Sequence, residues 1–274
     1  VKIVPLAQAL ATEPEELARR SLAPVTIAVL DSGIDGTHPD LAGRVIDAVR
    51  VELVDGKPTI VQGSATQNND SYGHGTAVAS IACKVSPNAK IIDVKVLGEG
   101  KLGTGAALIV GLRWAVQQKI SVVNMSLAAS AEFAARLHVL CEQAYRQGQV
   151  IVAATRNMPL ADHGFPAELS SVVSVDQGKL DSLYRLYYRR AHPIEYVAHG
   201  DEVAVAAAGG GYTTKTGTSF ATPAVSGLCA LWLGAFPELR PFEVKALLKA
   251  FSVEPEENNE GASGKTTSDT PAGR

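Results

Sequence analysis

The chain of 274 residues has little sulfur and few aromatics: three cysteines, two methionines, two tryptophans and 5% aromatic side chains in all. Cys83, Cys141 and Cys229 lie far apart, without the close spacing of a metal or redox motif. Their odd number leaves at least one unpaired, and they read as small apolar fillers inside helices. Excess charge is missing as well. Lys and Arg number 25 against 28 Asp and Glu, a net charge of −3, with no run of basic residues. That excludes the electrostatic footprint of a nucleic-acid binder. No apolar stretch approaches a transmembrane span, and no internal repeat occurs.

What is present is an apolar, small-residue sequence, 46% hydrophobic, long enough for one substantial core. Strands are expected at 25–31, 90–96, 120–124, 149–154, 171–175 and about 202–207, and helices at 75–84, 104–118, 131–147, 219–235 and 240–250. The strands are near-continuous Val, Ile and Ala runs, which suits burial on both faces. Their alternation with helices predicts a parallel sheet covered on both sides. Ser130 is placed to cap the third helix, Gly148 to follow its last turn, and Pro241 to open the last helix. Asp55-Gly56, between apolar runs in the segment 49–69, predicts a hairpin turn. Residues 252–274 are polar, acidic and rich in Gly, Ser and Thr. They are expected to form a disordered tail or linker, leaving 1–251 as the folded domain.

Three stretches stand out: Leu30-Asp31-Ser32-Gly33-Ile34-Asp35, Tyr72-Gly73-His74-Gly75-Thr76 and Gly217-Thr218-Ser219-Phe220-Ala221-Thr222-Pro223. In chain order they supply an acid, a base and a nucleophile. A serine hydroxyl is a weak nucleophile at neutral pH and needs a base within hydrogen-bond reach. Histidine fits, because its ordinary pKa lies near operating pH. The imidazole in turn needs a buried carboxylate to fix its tautomer and stabilise the imidazolium. Asp31 ends an apolar strand, His74 precedes a small-residue helix, and Ser219 opens a helix whose free N–H groups suit a developing oxyanion. Singly, each has an ordinary reading: a turn-capping Asp, a loop His, a helix cap. Jointly, the order and setting favour Ser219 activated by His74 and Asp31. His38 reads as structural, and His138, His163, His192 and His199 lack a partner pattern.

These stretches resemble the three signature motifs of the subtilisin-like serine proteases, the subtilases. The resemblance covers about residues 1–250 and takes in His38-Pro39-Asp40-Leu41, Val94-Lys95-Val96-Leu97-Gly98 and Val123-Asn124-Met125-Ser126-Leu127. It implies a three-layer α/β/α subtilisin-like fold with a mainly parallel central sheet. It implies a serine endopeptidase that hydrolyses polypeptides through an acyl-enzyme, and an N-terminal propeptide acting as chaperone and inhibitor. Val1 begins without Met or a signal-like segment, and Asp31 lies about as far from the start as in mature members. Removal or omission of such a propeptide is therefore expected. The core is expected to be monomeric. Members are mostly secreted, while free cysteines and no visible signal leave an intracellular role open.

In subtilases the substrate backbone adds as a strand between two edge segments. Carried over, these are Lys101-Leu102-Gly103-Thr104-Gly105 and Ser126-Leu127-Ala128. Leu102, Gly103, Thr104, Ser126, Leu127, Ala128 and Ala154 are thus expected to line the cleft. Ala128 stands where Gly is common and either narrows the S1 pocket or is simply tolerated. Gly105 stands where a larger side chain is common and implies a more open S4 subsite. The family usually presents Ala-Ala-Gly-Asn after a buried strand, with the Asn donating to the oxyanion. Here Ala153-Ala154 is followed by Thr155-Arg156-Asn157, so the Gly is missing and the Asn comes one residue late. Asn157 is the expected donor beside the Ser219 N–H. Arg156 is the alternative donor, or lies beside S1 and favours an acidic residue before the scissile bond.

Many subtilases hold calcium in a loop after the helix that follows the catalytic His. Here Ile81 to Asn88 runs almost directly into the next strand, too short to wrap an ion with six or more oxygens. No cofactor is expected, with weaker cation sites elsewhere left open. The hairpin at 49–69 is expected at the rim of the cleft. Two rivals stand beside the peptidase: a peptide-binding pseudoprotease, supported by the altered Thr155-Arg156-Asn157 stretch, and a transpeptidase or macrocyclase on the same fold.

Overall fold

The computed structural model describes residues 6–98, 105–157 and 164–253. Two short helices, α1 (Leu6–Leu10) and α2 (Pro14–Ala18), precede β1 (Val25–Asp31), β2 (Val45–Val54) and β3 (Lys57–Gln62). Then come α3 (His74–Val85), β4 (Ala89–Lys95), α4 (Gly105–Gln117), β5 (Val122–Met125), α5 (Ala134–Gln147) and β6 (Val150–Ala154). The chain continues through β7 (Val173–Gly178), β8 (Leu186–Tyr188), β9 (Tyr196–His199), β10 (Val203–Ala206) and β11 (Tyr212–Lys215). It closes with α6 (Thr218–Ala235) and α7 (Pro241–Ala250).

Nine strands form one sheet in the order β3-β2-β4-β1-β5-β6-β7-β9-β8. Neighbours from β2 to β9 run parallel, and only the outer strands β3 and β8 pair antiparallel. The side chains of β1 explain the layers. Val25, Ile27 and Val29 enter one apolar cluster with residues of α3, α6 and α7. Ala28 and Leu30 enter a second cluster with residues of α4 and α5. Period-two alternation of uniformly apolar residues thus feeds both faces, which makes a three-layer α/β/α fold with a mainly parallel sheet.

Asp55 (φ 50°) and Gly56 (φ 74°) form the two-residue turn between β2 and β3. That hairpin extends the sheet as its outer edge. Gly148 ends α5 in the left-handed conformation (φ 91°), and Pro241 opens α7. Ser130 does not cap the backbone as expected. Its hydroxyl donates to Glu132, and a short 3₁₀ turn at Ala131–Phe133 leads into α5. The short elements α1, α2, β8, β9 and β11 were not anticipated, and β10 pairs with β11 in a separate two-stranded sheet. The N–H of Val253 donates to the Leu186 carbonyl at 2.8 Å, so the chain stays stitched to β8 just past residue 251.

By length and composition α6 could cross a bilayer (mean hydropathy 1.2), but 89% of it is buried inside the protein. It is the central core helix, packed on α3 and the middle strands. All three cysteines are buried and unpaired, and burial pushes the Cys83 thiol up to about 11 and Cys141 up to about 12.

Candidate active site

Asp31 ends β1 fully buried, paired across to Lys95 of β4. Its Oδ1 lies 2.7 Å from His74 Nδ1 and also accepts the Ser32 N–H at 2.7 Å. A carboxylate only accepts, so the Nδ1 of a neutral His74 carries the proton and its Nε2 is left as the acceptor. Burial of the imidazole works against its charged form. The Asp31 charge and hydrogen bond, aided by Asp70 and opposed by Lys215, outweigh it and hold His74 above its ordinary value.

His74 is the first residue of α3, and Gly75 brings that helix against the Asp31 loop. The Gly75 N–H donates to Ser32 Oγ at 3.0 Å. His38 is 2% exposed and has no part in this pair. Its Nδ1 accepts the Asp40 N–H, and its Nε2 lies 2.9 Å from the Gly211 carbonyl, so it braces the loop ahead of β11.

Ser219 sits in the first turn of α6, partly exposed. Its hydroxyl donates to the Ser126 carbonyl at 2.9 Å, and Ser126 Oγ lies 2.9 Å from the Ser219 carbonyl. Asn124 donates to Ser126 Oγ and accepts from Ser226 Oγ, which ties α6 to the end of β5. The neighbouring Phe220 ring stands 5.2 Å from the imidazole of His74. Gly217, before the helix, has φ 153°, a conformation that favours glycine.

Asn157 and Arg156 separate in the structure. Asn157 Oδ1 accepts the Thr218 N–H at 2.9 Å, directly beside Ser219. The amide oxygen faces that donor, which leaves the Asn157 NH₂ turned away from Thr218. Arg156 instead donates through Nη2 to the Ala129 carbonyl at 3.0 Å, away from the Thr218 contact. A methyl built on Gly164 would lie 2.7 Å from the Ala128 methyl and 3.0 Å from Arg156 Cγ. Ala128, Gly164 and the Arg156 stem are therefore packed together, below an antiparallel bridge between Ala129 and Phe165.

Ser126 is buried at the end of β5, with Leu127 and Ala128 half-buried after it. Ala154 is buried as the last residue of β6. Leu102, Gly103 and Thr104 lie outside the described residues. Gly105 does not open a subsite as expected: the Phe133 ring takes the space, 2.3 Å from where a Gly105 methyl would be. Among the described residues, Leu97, Gly105, Leu108, Leu127 and Ala128 line a cavity of about 70 Å³. The sequence reading also passed over Tyr72, exposed with its ring 6.3 Å from His74, and two buried carboxylates, Asp70 and Asp93. Tyr72 and Asp70 stand within the His motif and its approach, where their spacing from His74 was a readable signal.

The connection that follows α3 is short. Only Ser86, Pro87 and Asn88 separate α3 from β4, and Asn88 is already bonded to Ser86 Oγ and the Ala23 carbonyl. Among the described residues, no group of three or more His, Cys, Asp or Glu side chains is arranged to hold a metal.

Comparison with known proteins agrees with this architecture. The model of the subtilase family matches residues 23–264. Subtilisin DY of Bacillus licheniformis is 31% identical over 241 residues, covering 83% of this chain and 83% of that protein. Alkaline elastase YaB of Bacillus sp. (strain YaB) is 32% identical over 234 residues, covering 82% of this chain but only 58% of its own length. Among solved structures, Sphericase superposes with a TM-score of 0.69 at 27% identity, covering 84% of this chain and 85% of that one. With the motifs, the three-layer fold and a family match over most of its length, this chain belongs to the subtilase family.

Proposed function

We propose that the protein is a serine endopeptidase that cleaves polypeptides through an acyl-enzyme on Ser219. The observation that carries this reading is the 2.7 Å contact between His74 and the buried Asp31, with Ser219 at the nearby helix start. Rotation of the Ser219 side chain turns its hydroxyl from the Ser126 carbonyl toward His74 Nε2. Ser219 Oγ then attacks the scissile carbonyl carbon as His74 takes its proton. His74 returns that proton to the leaving amine when the C–N bond breaks. Water, deprotonated by His74, then attacks the acyl carbon, and His74 passes that proton to Ser219 Oγ as the acyl C–O bond breaks. Asp31 keeps the imidazole in the right tautomer and stabilises it when charged. The Ser219 N–H and the Asn157 NH₂ are the proposed oxyanion donors; the contact of Asn157 with Thr218 favours it over Arg156.

The proposed catalytic unit is residues 1–251, with 252–274 as tail or linker, and Ser126, Leu127, Ala128 and Ala154 beside the substrate. The proposed steps call on no metal or organic cofactor. Labelling by a fluorophosphonate serine probe tests the reading. Folded protein is expected to label, while heated protein and Ser219→Ala do not. No labelling of folded protein would overturn it. Product mass then separates hydrolysis, which adds water, from cyclisation, which does not.

A further inference from the structure

We propose that Asp70 is a positioning residue for His74, a buried carboxylate that locks the start of α3 onto the Asp31 loop. Its importance for catalysis rests on the peptidase reading above.

Asp70 is 3% exposed, and its hydrogen bonds go to Ser32, Tyr72, Gly73 and Thr76 rather than to the imidazole. Its Oδ1 accepts from Ser32 Oγ at 2.9 Å and from the backbone N–H groups of Tyr72 at 3.1 Å and Gly73 at 2.7 Å. Its Oδ2 accepts the Thr76 N–H at 2.9 Å and the Thr76 hydroxyl at 2.7 Å. Five donors on one buried carboxylate satisfy its charge, and hydrogen bonds to an ionised acceptor are the stronger kind.

The donors come from both halves of the acid–base pair. Tyr72, Gly73 and Thr76 flank His74. Ser32 follows Asp31, and its oxygen also accepts the Gly75 N–H at 3.0 Å. Thr76 Oγ1 accepts the Asp35 N–H at 2.9 Å, which brings in the far end of the acid loop. The cap residue of α3 is Gly73, which has no side chain to satisfy the free N–H groups of the first turn. Asp70 and Ser32 supply the missing acceptors from outside the helix. The geometry that brings His74 to Asp31 is therefore set by a third residue four positions upstream.

Charge adds to position. The N-terminus of a helix disfavours a cation, yet His74 must carry a proton part-way through the reaction. Asp70 places a negative charge at that terminus. The groups that act on the imidazole are Asp31 and Asp70, which favour its charged form, and Lys215, which disfavours it.

The test uses the full chain with Asp70→Asn and Ser32→Ala. The readouts are the fluorophosphonate labelling rate against pH, the titration of the His74 imidazole by NMR, and the melting temperature. Asp70→Asn is expected to slow labelling about 10- to 100-fold, the scale of a misplaced catalytic group, and to move the His74 midpoint downward. Ser32→Ala keeps the Asp70 charge, so it is expected to slow labelling while holding the midpoint near that of the wild type. A folded Asp70→Asn protein that melts lower but labels at the wild-type rate with unmoved His74 titration would overturn the proposal. So would a Ser32→Ala midpoint as low as that of Asp70→Asn. Labelling of the wild type that survives Ser219→Ala would instead overturn the peptidase reading, while the His74 titration still decides the role of Asp70.

Discussion

Gly75 approaches Gly33 so closely that a methyl on Gly75 would lie 2.2 Å from the Gly33 carbonyl oxygen and 3.0 Å from Asp31 Cβ. This contact brings the first turn of α3 onto the end of β1, and with it His74 onto Asp31.

Gly75→Ala separates helix propensity from packing. In an exposed helix the change would add about 1 kcal/mol. Here the obstacle is largely backbone, which cannot rotate away, and overpacking of this kind costs about 1–3 kcal/mol. A lower melting temperature and a loss of labelling rate of about 100-fold are expected. A more stable, fully active variant would contradict the contact.

Activity should fall on the acid side at a pH above that of an ordinary histidine. On the proposed mechanism His74 must be neutral to take the Ser219 proton, and its folded pKa is raised from 6.5. The rate is therefore full above the raised pKa and lost as pH falls through it. A profile of kcat/KM against pH whose acid limb lies below 6.5 would refute this.

Asn157 and Arg156 should differ sharply on substitution. Asn157→Ala is expected to lower kcat by about 10²–10³ with little change in KM, the usual loss for one oxyanion donor. Arg156→Ala is expected to act on KM and on the choice of residue before the scissile bond. A peptide library indifferent to Asp, Glu or neutral residues there would remove the acidic preference from consideration.

Asp93 lies on β4, 1% exposed, and its Oδ2 accepts from the Ile34 N–H and the Asn69 amide. Burial pushes its carboxyl from 3.8 up to about 7, despite those two hydrogen bonds. A raised carboxyl binds its proton more tightly in the folded state. Its contribution to stability is thus full below pH 3.8 and is lost as pH rises through about 7. Asp93→Asn is expected to flatten this part of the stability profile, read from urea midpoints on either side of neutrality. An unchanged slope would show that other groups carry it.

Chelation with EDTA is expected to leave the melting temperature unchanged, because the short Ser86-Pro87-Asn88 connection gives no oxygen cage. A drop that calcium restores would reveal a cation site elsewhere in the chain.

The sequence by itself determined the chain order of Asp31, His74 and Ser219 and the setting of each, the long strands and helices, and the parallel layering. These are local properties: Val25, Ile27 and Val29 alternate with Ala28 and Leu30 along one strand and so supply two opposite faces, and glycines around His74 announce a tight approach. The short strands β8, β9 and β11 escaped, because their pairing owes more to neighbours than to their own few residues. Tertiary structure alone decided the finer points of the site. Phe133 fills the space beside Gly105 from 28 positions away. Arg156 turns to Ala129 while Asn157 meets Thr218, 61 positions on. Asp70 reaches back 38 positions to Ser32. Such contacts depend on how packed elements bring distant side chains together, and no periodicity or spacing within one segment encodes that.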